Sequence, residues 1–82
     1  MDVSMKLDSL PVGHIGKVLK INGDREDPVG RRLADLGFLD GTKVAVLRKA
    51  PLGDPIIFEL RGYEMCLRHS QAERIDVRDE KG

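Results

Sequence analysis

Residues 56–67, IIFELRGYEMCL, restrict the fold more than any other stretch of the chain. Two runs flank the pair Arg61-Gly62, and setting Leu60 opposite Tyr63 fixes an antiparallel register. Phe58 then faces Met65 and Ile56 faces Leu67, all on one side of the pleat. The other side sets Glu59 against Glu64 and Ile57 against Cys66, and that like-charged pair calls for a nearby arginine to offset it. Glycine in the second loop position suits the positive φ of a two-residue hairpin turn. A hairpin from Pro55 to Arg68 is therefore expected.

Upstream, His14–Ile21 (HIGKVLKI) has the β-branched content of a strand, with imperfect alternation, and ends at the turn signal Asn22-Gly23. The period then changes. Asp27 is an N-cap candidate followed by proline at the first helical position. Val29, Leu33 and Leu36 fall on one stripe, and Gly37 stands where a left-handed C-terminal cap is wanted. Asp40-Gly41 turns into a second strand, Thr42–Lys49, with Val44, Val46 and Arg48 of one parity and Ala45, Leu47 and Lys49 of the other. Ser70–Glu73 has the spacing of a capping box, and Ile75–Val77 is a final short strand. Residues 1–9 read as a polar lead and 79–82 as a charged tail that frays.

Between the second strand and the hairpin lies APLGDP, residues 50–55. Pro51 fits the second position of a type I turn with Gly53 at the fourth, and Pro55 drives Asp54 to extended backbone. The loop is stiff and carries leucine where a turn usually carries a polar residue.

These elements describe a mainly β chain with one short α-helix, a small, partly open β-barrel of the SH3-like kind, in a single domain over residues 1–82 with its core at about 7–77. With 82 residues the core is small and a large catalytic cleft is not expected. Fourteen basic and fourteen acidic residues give zero formal charge, which removes the broad basic footprint of nucleic-acid binders. The lone Cys66 cannot form an internal disulfide. No signal segment or apolar run of bilayer length is visible, so a cytoplasmic protein is expected.

Reactive constellations are weak. Cys66 and His69 are three apart on a strand and so fall on opposite faces, which disfavours a nucleophile pair or a shared metal. His14 has no second nitrogen or sulfur ligand nearby along the chain and reads as a surface histidine. Asp24-Arg25-Glu26-Asp27 lacks calcium-loop spacing and serves as polar loop and helix cap. Neither a dinucleotide-binding glycine motif nor a P-loop is present. Arg31-Arg32 suits a solvated helix face better than phosphate binding. The chain is not expected to be an enzyme, to hold a cofactor or to carry a metal centre.

The run RRLADLGFLDG (31–41), preceded by LPVGHIGKVLKI and followed by RKAPLGDPIIFELRGYEMCLR, resembles the ferrous iron transport protein A family (FeoA). The likeness runs from about Leu7 to Val77; Asp40 stands where members often have proline. It implies a small cytosolic SH3-like domain that assists a membrane GTPase-linked ferrous iron permease, FeoB, through protein contact and reaches the membrane only through that partner. The same domain type occurs at the C-terminus of repressors of the diphtheria toxin repressor type. Candidate contacts are Phe38 and Leu39 after the helix and Pro51 and Leu52 at the loop tip, with Arg31, Arg32 and Arg48 as steering charges. For Phe38 and Leu39 the competing reading is a plug for one end of the barrel, since an aromatic-poor chain needs its aromatics inside. Self-association is compatible with the sequence. Two other readings stand beside this one: an RNA- or ribosome-binding module, which the charge balance and few aromatics disfavour, and metal sensing through Cys66, His69 and Glu64.

Overall fold

The computed structural model describes residues 4–23 and 26–81. Its strands are β1 (Ser4–Lys6), β2 (Ile15–Ile21), β3 (Lys43–Lys49), β4 (Ile56–Leu60), β5 (Tyr63–Leu67) and β6 (Ile75–Asp79), with helices α1 (Pro28–Leu36) and α2 (His69–Ala72). All six strands form one antiparallel sheet in the order β1-β6-β2-β3-β4-β5. Because β1 and β5 are both edges, the sheet curls into a barrel that is not fully closed, the SH3-like form expected from the sequence.

The hairpin register is the one the alternation dictates: Leu60↔Tyr63, Phe58↔Met65, Ile56↔Leu67, Glu59↔Glu64 and Ile57↔Cys66. Arg61 (φ 54°) and Gly62 (φ 86°) both take the positive φ that lets a two-residue loop follow the strand twist. The Glu59–Glu64 opposition is relieved by Arg48, whose Nη2 donates to Glu64 Oε1 at 3.2 Å. Tyr63 departs from expectation. It is 72% exposed on the edge strand β5, while its partner Leu60 on β4 is buried.

Helix α1 is built as its caps require. The Asp27 side chain accepts from the Val29 N–H at 3.0 Å, Pro28 opens the first turn, and Gly37 ends the helix in the left-handed region. Leu33 is buried, Val29 packs partly against the core and Leu36 is exposed, so the predicted stripe is narrower than its spacing suggests.

Bulges account for the imperfect alternation of the first predicted strand and break the regular alternation expected of the second. In β2 the register shifts between Val18 and Lys20, and in β3 between Val46 and Arg48, leaving Leu19 and Leu47 as the extra residues. Each bulge bends its strand and resets the parity after it. Val44 and Val46 are therefore buried while Arg48 turns outward, instead of sharing their face.

Residues 4–9 and 79–81 are more ordered than the sequence suggests, while residues 1–3 and 82 of the expected lead and tail lie outside the described residues. The lead forms β1, paired with β6 from Ser4↔Arg78 to Lys6↔Asp76, followed by a 3-10 turn at Leu7–Ser9. Leu7 and Leu10 are fully buried, each worth about 1.5–3 kcal/mol of apolar burial. Leu10 crosses β2 where there is no side chain. A Cβ on Gly16 would lie 2.8 Å from Leu10 Cδ2 and 3.2 Å from Val77 Cβ, so the strap closes only over glycine. At the other end Asp79 pairs with Gly16, and the Glu80 N–H donates to the Ile15 carbonyl at 2.7 Å, so residues 79 and 80 are tied to the sheet instead of fraying. The predicted capping box also moves. Arg68 precedes α2, its N–H donating to Gln71 Oε1 at 2.9 Å, because the Asp54 carboxylate takes the His69 N–H at 2.8 Å and starts the helix early.

Candidate partner-contact site

The expected contact residues fall into two groups at opposite ends of the β3–β4 pair. Val44↔Leu60 lies at one end of that ladder and Lys49↔Ile56 at the other. The β4 strand between them spans on the order of 13 Å at the usual rise per residue. The loop at residues 50–55 stands beyond the Lys49 end; Phe38 and Leu39 lead into the Val44 end. The seven residues therefore do not make one continuous patch.

At the loop end the chain does what its turn residues require. The Gly53 N–H donates to the Ala50 carbonyl at 2.7 Å, closing the four-residue turn with Pro51 in its second position. The Ala50 N–H donates to the Pro55 carbonyl at 3.0 Å, and the Asp54–Pro55 peptide is cis. Pro51 is exposed and Leu52 is 97% exposed, the barest large apolar side chain among the described residues. Arg48 sits on the neighbouring strand, held toward Glu64.

At the helix end the two apolar residues separate. Phe38 is 1% exposed and is a core residue, so its side chain offers no surface, while Leu39 is 48% exposed. The N–H groups of Gly37 and Phe38 donate back to the Ala34 and Leu33 carbonyls, which turns Phe38 inward over the end of the barrel. Arg31 and Arg32 are exposed on α1. Sequence reasoning did not single out Tyr63 as an exposed apolar residue, although its place beside the turn glycine was a signal.

The charged groups with displaced pKa values are tied to structure. The Asp79 carboxyl is held below its ordinary value by the hydrogen bond with His14 Nδ1, 2.9 Å from Oδ2, with burial opposing and the Lys81 N–H assisting. Asp76 is lowered by the Lys6 ammonium, against burial, with help from Asn22. At Asp27 burial pushes upward most, but the Val29 N–H and the Arg74 guanidinium together outweigh it and the net direction is downward. His14 is thus half-buried in a pair at one end of the β2–β6 ladder, beyond what its neighbours in sequence indicate.

Glu64, Cys66 and His69 do not converge. Glu64 is taken by Arg48, Cys66 is exposed on β5, and His69 turns to Asp8, its Nδ1 3.0 Å from Asp8 Oδ2. Asp24 and Arg25 of the acidic cluster lie outside the described residues; Asp27 caps the helix and pairs with Arg74. Among the described residues no helix is long and apolar enough to cross a membrane.

The FeoA domain family matches residues 5–79. The chain belongs to that family. An Fe(2+) transport protein A/Fe(2+) transporter FeoB fusion protein of Porphyromonas gingivalis is 29% identical over 73 residues, covering 89% of this chain and 8% of that protein, so the chain spans a small fraction of this relative's length. The Stenotrophomonas maltophilia FeoA crystal structure, an SH3 domain protein complexed with zinc, superposes with a TM-score of 0.84 at 30% identity, covering 94% of this chain and 96% of that one. The Chlorobium tepidum FeoA solution structure gives a TM-score of 0.83 at 41% identity, covering 95% and 72%. A manganese-dependent transcriptional repressor shares the fold over 95% of this chain and 42% of its own, with a TM-score of 0.81 at 20% identity. The FeoA domain is a small SH3-like domain linked to ferrous iron transport, and in the Porphyromonas relative it is joined to FeoB.

Proposed function

We propose that this FeoA domain is a cytoplasmic, non-enzymatic accessory of ferrous iron uptake that binds the cytoplasmic part of a FeoB-type GTPase-permease. The observation that carries this reading is the fusion in the Porphyromonas relative, where an FeoA domain and the transporter share one polypeptide and so act at high effective concentration. The contact is built on Pro51 and Leu52. A leucine held 97% bare on a proline-stiffened, hydrogen-bonded turn loses little conformational freedom when a partner covers it. Arg48 beside it acts on encounter rate more than on final affinity, as rim charges do. Leu39 is a second exposed apolar residue, at the helix end, and a single partner reaching both it and Leu52 would have to span the length of the β3–β4 pair.

The test is capture of the purified permease's cytoplasmic domain by the folded Leu52→Asp and Arg31→Glu variants. Loss with Leu52→Asp and retention with Arg31→Glu is expected. Full retention by a folded Leu52→Asp variant removes the loop from the contact, and loss with Arg31→Glu alone moves it to the helix end.

A further inference from the structure

We propose that Asp8, His69 and Glu73 form a binding site for a divalent first-row transition-metal ion. Each offers one ligand atom, and the three atoms lie within 4.8 Å of one another, although Asp8 is far from the other two in the chain. Two ligands on a first-row ion sit about 2.0–2.2 Å from it, so a pair in cis positions is separated by about 3 Å. Asp8 Oδ2 and His69 Nδ1 are already 3.0 Å apart. His69 and Glu73 are four residues apart, the spacing that puts two side chains on one helical face, and the Glu73 N–H donates to the His69 carbonyl at 3.0 Å. Exposed Glu73 has the rotamer freedom to complete the set.

A second observation sets this cluster apart from an ordinary surface ion pair. Asp8 Oδ1 is sealed from solvent and has no hydrogen-bond partner among the described residues. A buried carboxylate oxygen without a donor is costly, and a cation bound by the same carboxylate relieves that cost. The backbone on both sides is fixed beforehand. Asp8 sits in the 3-10 turn between fully buried Leu7 and Leu10, and α2 is anchored by buried Ala72 and by the Asp54 bond to the His69 N–H. A surface depression lined by Lys6, Asp8, Ser9, Asn22, Glu73 and Arg74 leads to two of the three ligands. Its two cations are already neutralised, Lys6 by Asp76 and Arg74 by Asp27.

One imidazole and two carboxylates suit Zn²⁺, Mn²⁺ or Fe²⁺ and not a soft monovalent ion, and three protein ligands leave positions for water. The proposal does not depend on the permease contact, since Leu52 takes no part in it. The test is titration of the full chain with Zn²⁺ and, separately, with paramagnetic Mn²⁺, followed by amide and histidine-ring NMR. Saturable shifts of the His69 ring and Mn²⁺ broadening centred on residues 8, 69 and 73 are expected. Affinity should fall about tenfold or more in Asp8→Asn and in Glu73→Gln, with His14→Ala unchanged. Glu73 is exposed, so its variant stays folded and keeps the test decisive. Broadening centred on His14 or Cys66, or unchanged affinity in Glu73→Gln, overturns the site.

Discussion

The two ends of the β3–β4 pair are built for opposite purposes. At the helix end the chain spends its scarce aromatic content on closure: Phe38 is buried with Leu33, Val44 and Leu60. At the loop end it leaves Leu52 almost wholly in water on a turn whose two prolines and internal hydrogen bonds keep it rigid. One apolar residue holds the barrel shut, and the other holds nothing. An exposed apolar side chain that contributes no packing is free to serve recognition, while a buried one cannot be removed without cost.

The largest break in this comparison comes from Phe38→Ala. Truncating a fully buried aromatic costs about 3–5 kcal/mol, against a total stability of about 4–12 kcal/mol for a domain of this length. Thermal and urea unfolding should show a loss of about 3–5 kcal/mol, a quarter or more of the total stability. A stable Phe38→Ala protein would mean that the helix end is not closed by this side chain.

A smaller effect is expected from the N-cap at the opposite end of α1. Asp27→Ala removes the acceptor of the Val29 N–H and the partner of Arg74, which should lower the melting temperature by less than Phe38→Ala does. Acid acts on the same group. The folded-state pKa values of Asp27, Asp76 and Asp79 lie below their ordinary values, so the stability they contribute is present above the unfolded carboxylate value, about 3.9. It is lost as pH falls through the lower folded values. Urea unfolding followed from about pH 6 to about pH 2 should show this decline. Its slope should be shallower in Asp27→Ala, which has one fewer carboxylate releasing its proton on folding.

The same contrast shows what the sequence makes legible. The β4–β5 hairpin was readable down to every residue pair, because both strands alternate and the turn fixes the register. The α1 caps were readable because capping is chemistry between near neighbours. The turn that carries Leu52 was readable from Pro51, Gly53 and Pro55, whereas the bareness of the leucine itself emerged only in the fold. What escaped depends on contacts between distant positions. A three-residue β1 carries too little pattern to be seen, and the burial of Leu7 and Leu10 depends on the gap at Gly16, which is visible only when the strands are assembled. The His14–Asp79 and Asp8–His69 pairs join opposite ends of the chain. The bulges at Leu19 and Leu47 change which side of a strand faces inward, so strict alternation placed Arg48 on the wrong face. Phe38 and Leu39, adjacent and both apolar, were inseparable until the turn after Gly37 sent one inward and left the other half exposed.

The smallest expected effect on stability is the sharpest test of the comparison. Leu52→Asp replaces a side chain that is already 97% exposed, so no packed apolar area is lost and no buried charge is created. Its backbone role is supplied by Pro51, Gly53 and the turn hydrogen bond, none of which the substitution touches. The change in unfolding free energy should stay within about 0.5 kcal/mol, measured by urea unfolding at neutral pH. A larger loss would show that Leu52 packs in solution against a second copy of the chain or a rearranged loop, and the dependence of stability on protein concentration would separate those causes. With stability unchanged, any loss of permease capture by this variant belongs to the contact itself. Phe38→Ala cannot give that separation, because at the helix end folding and surface rest on the same turn.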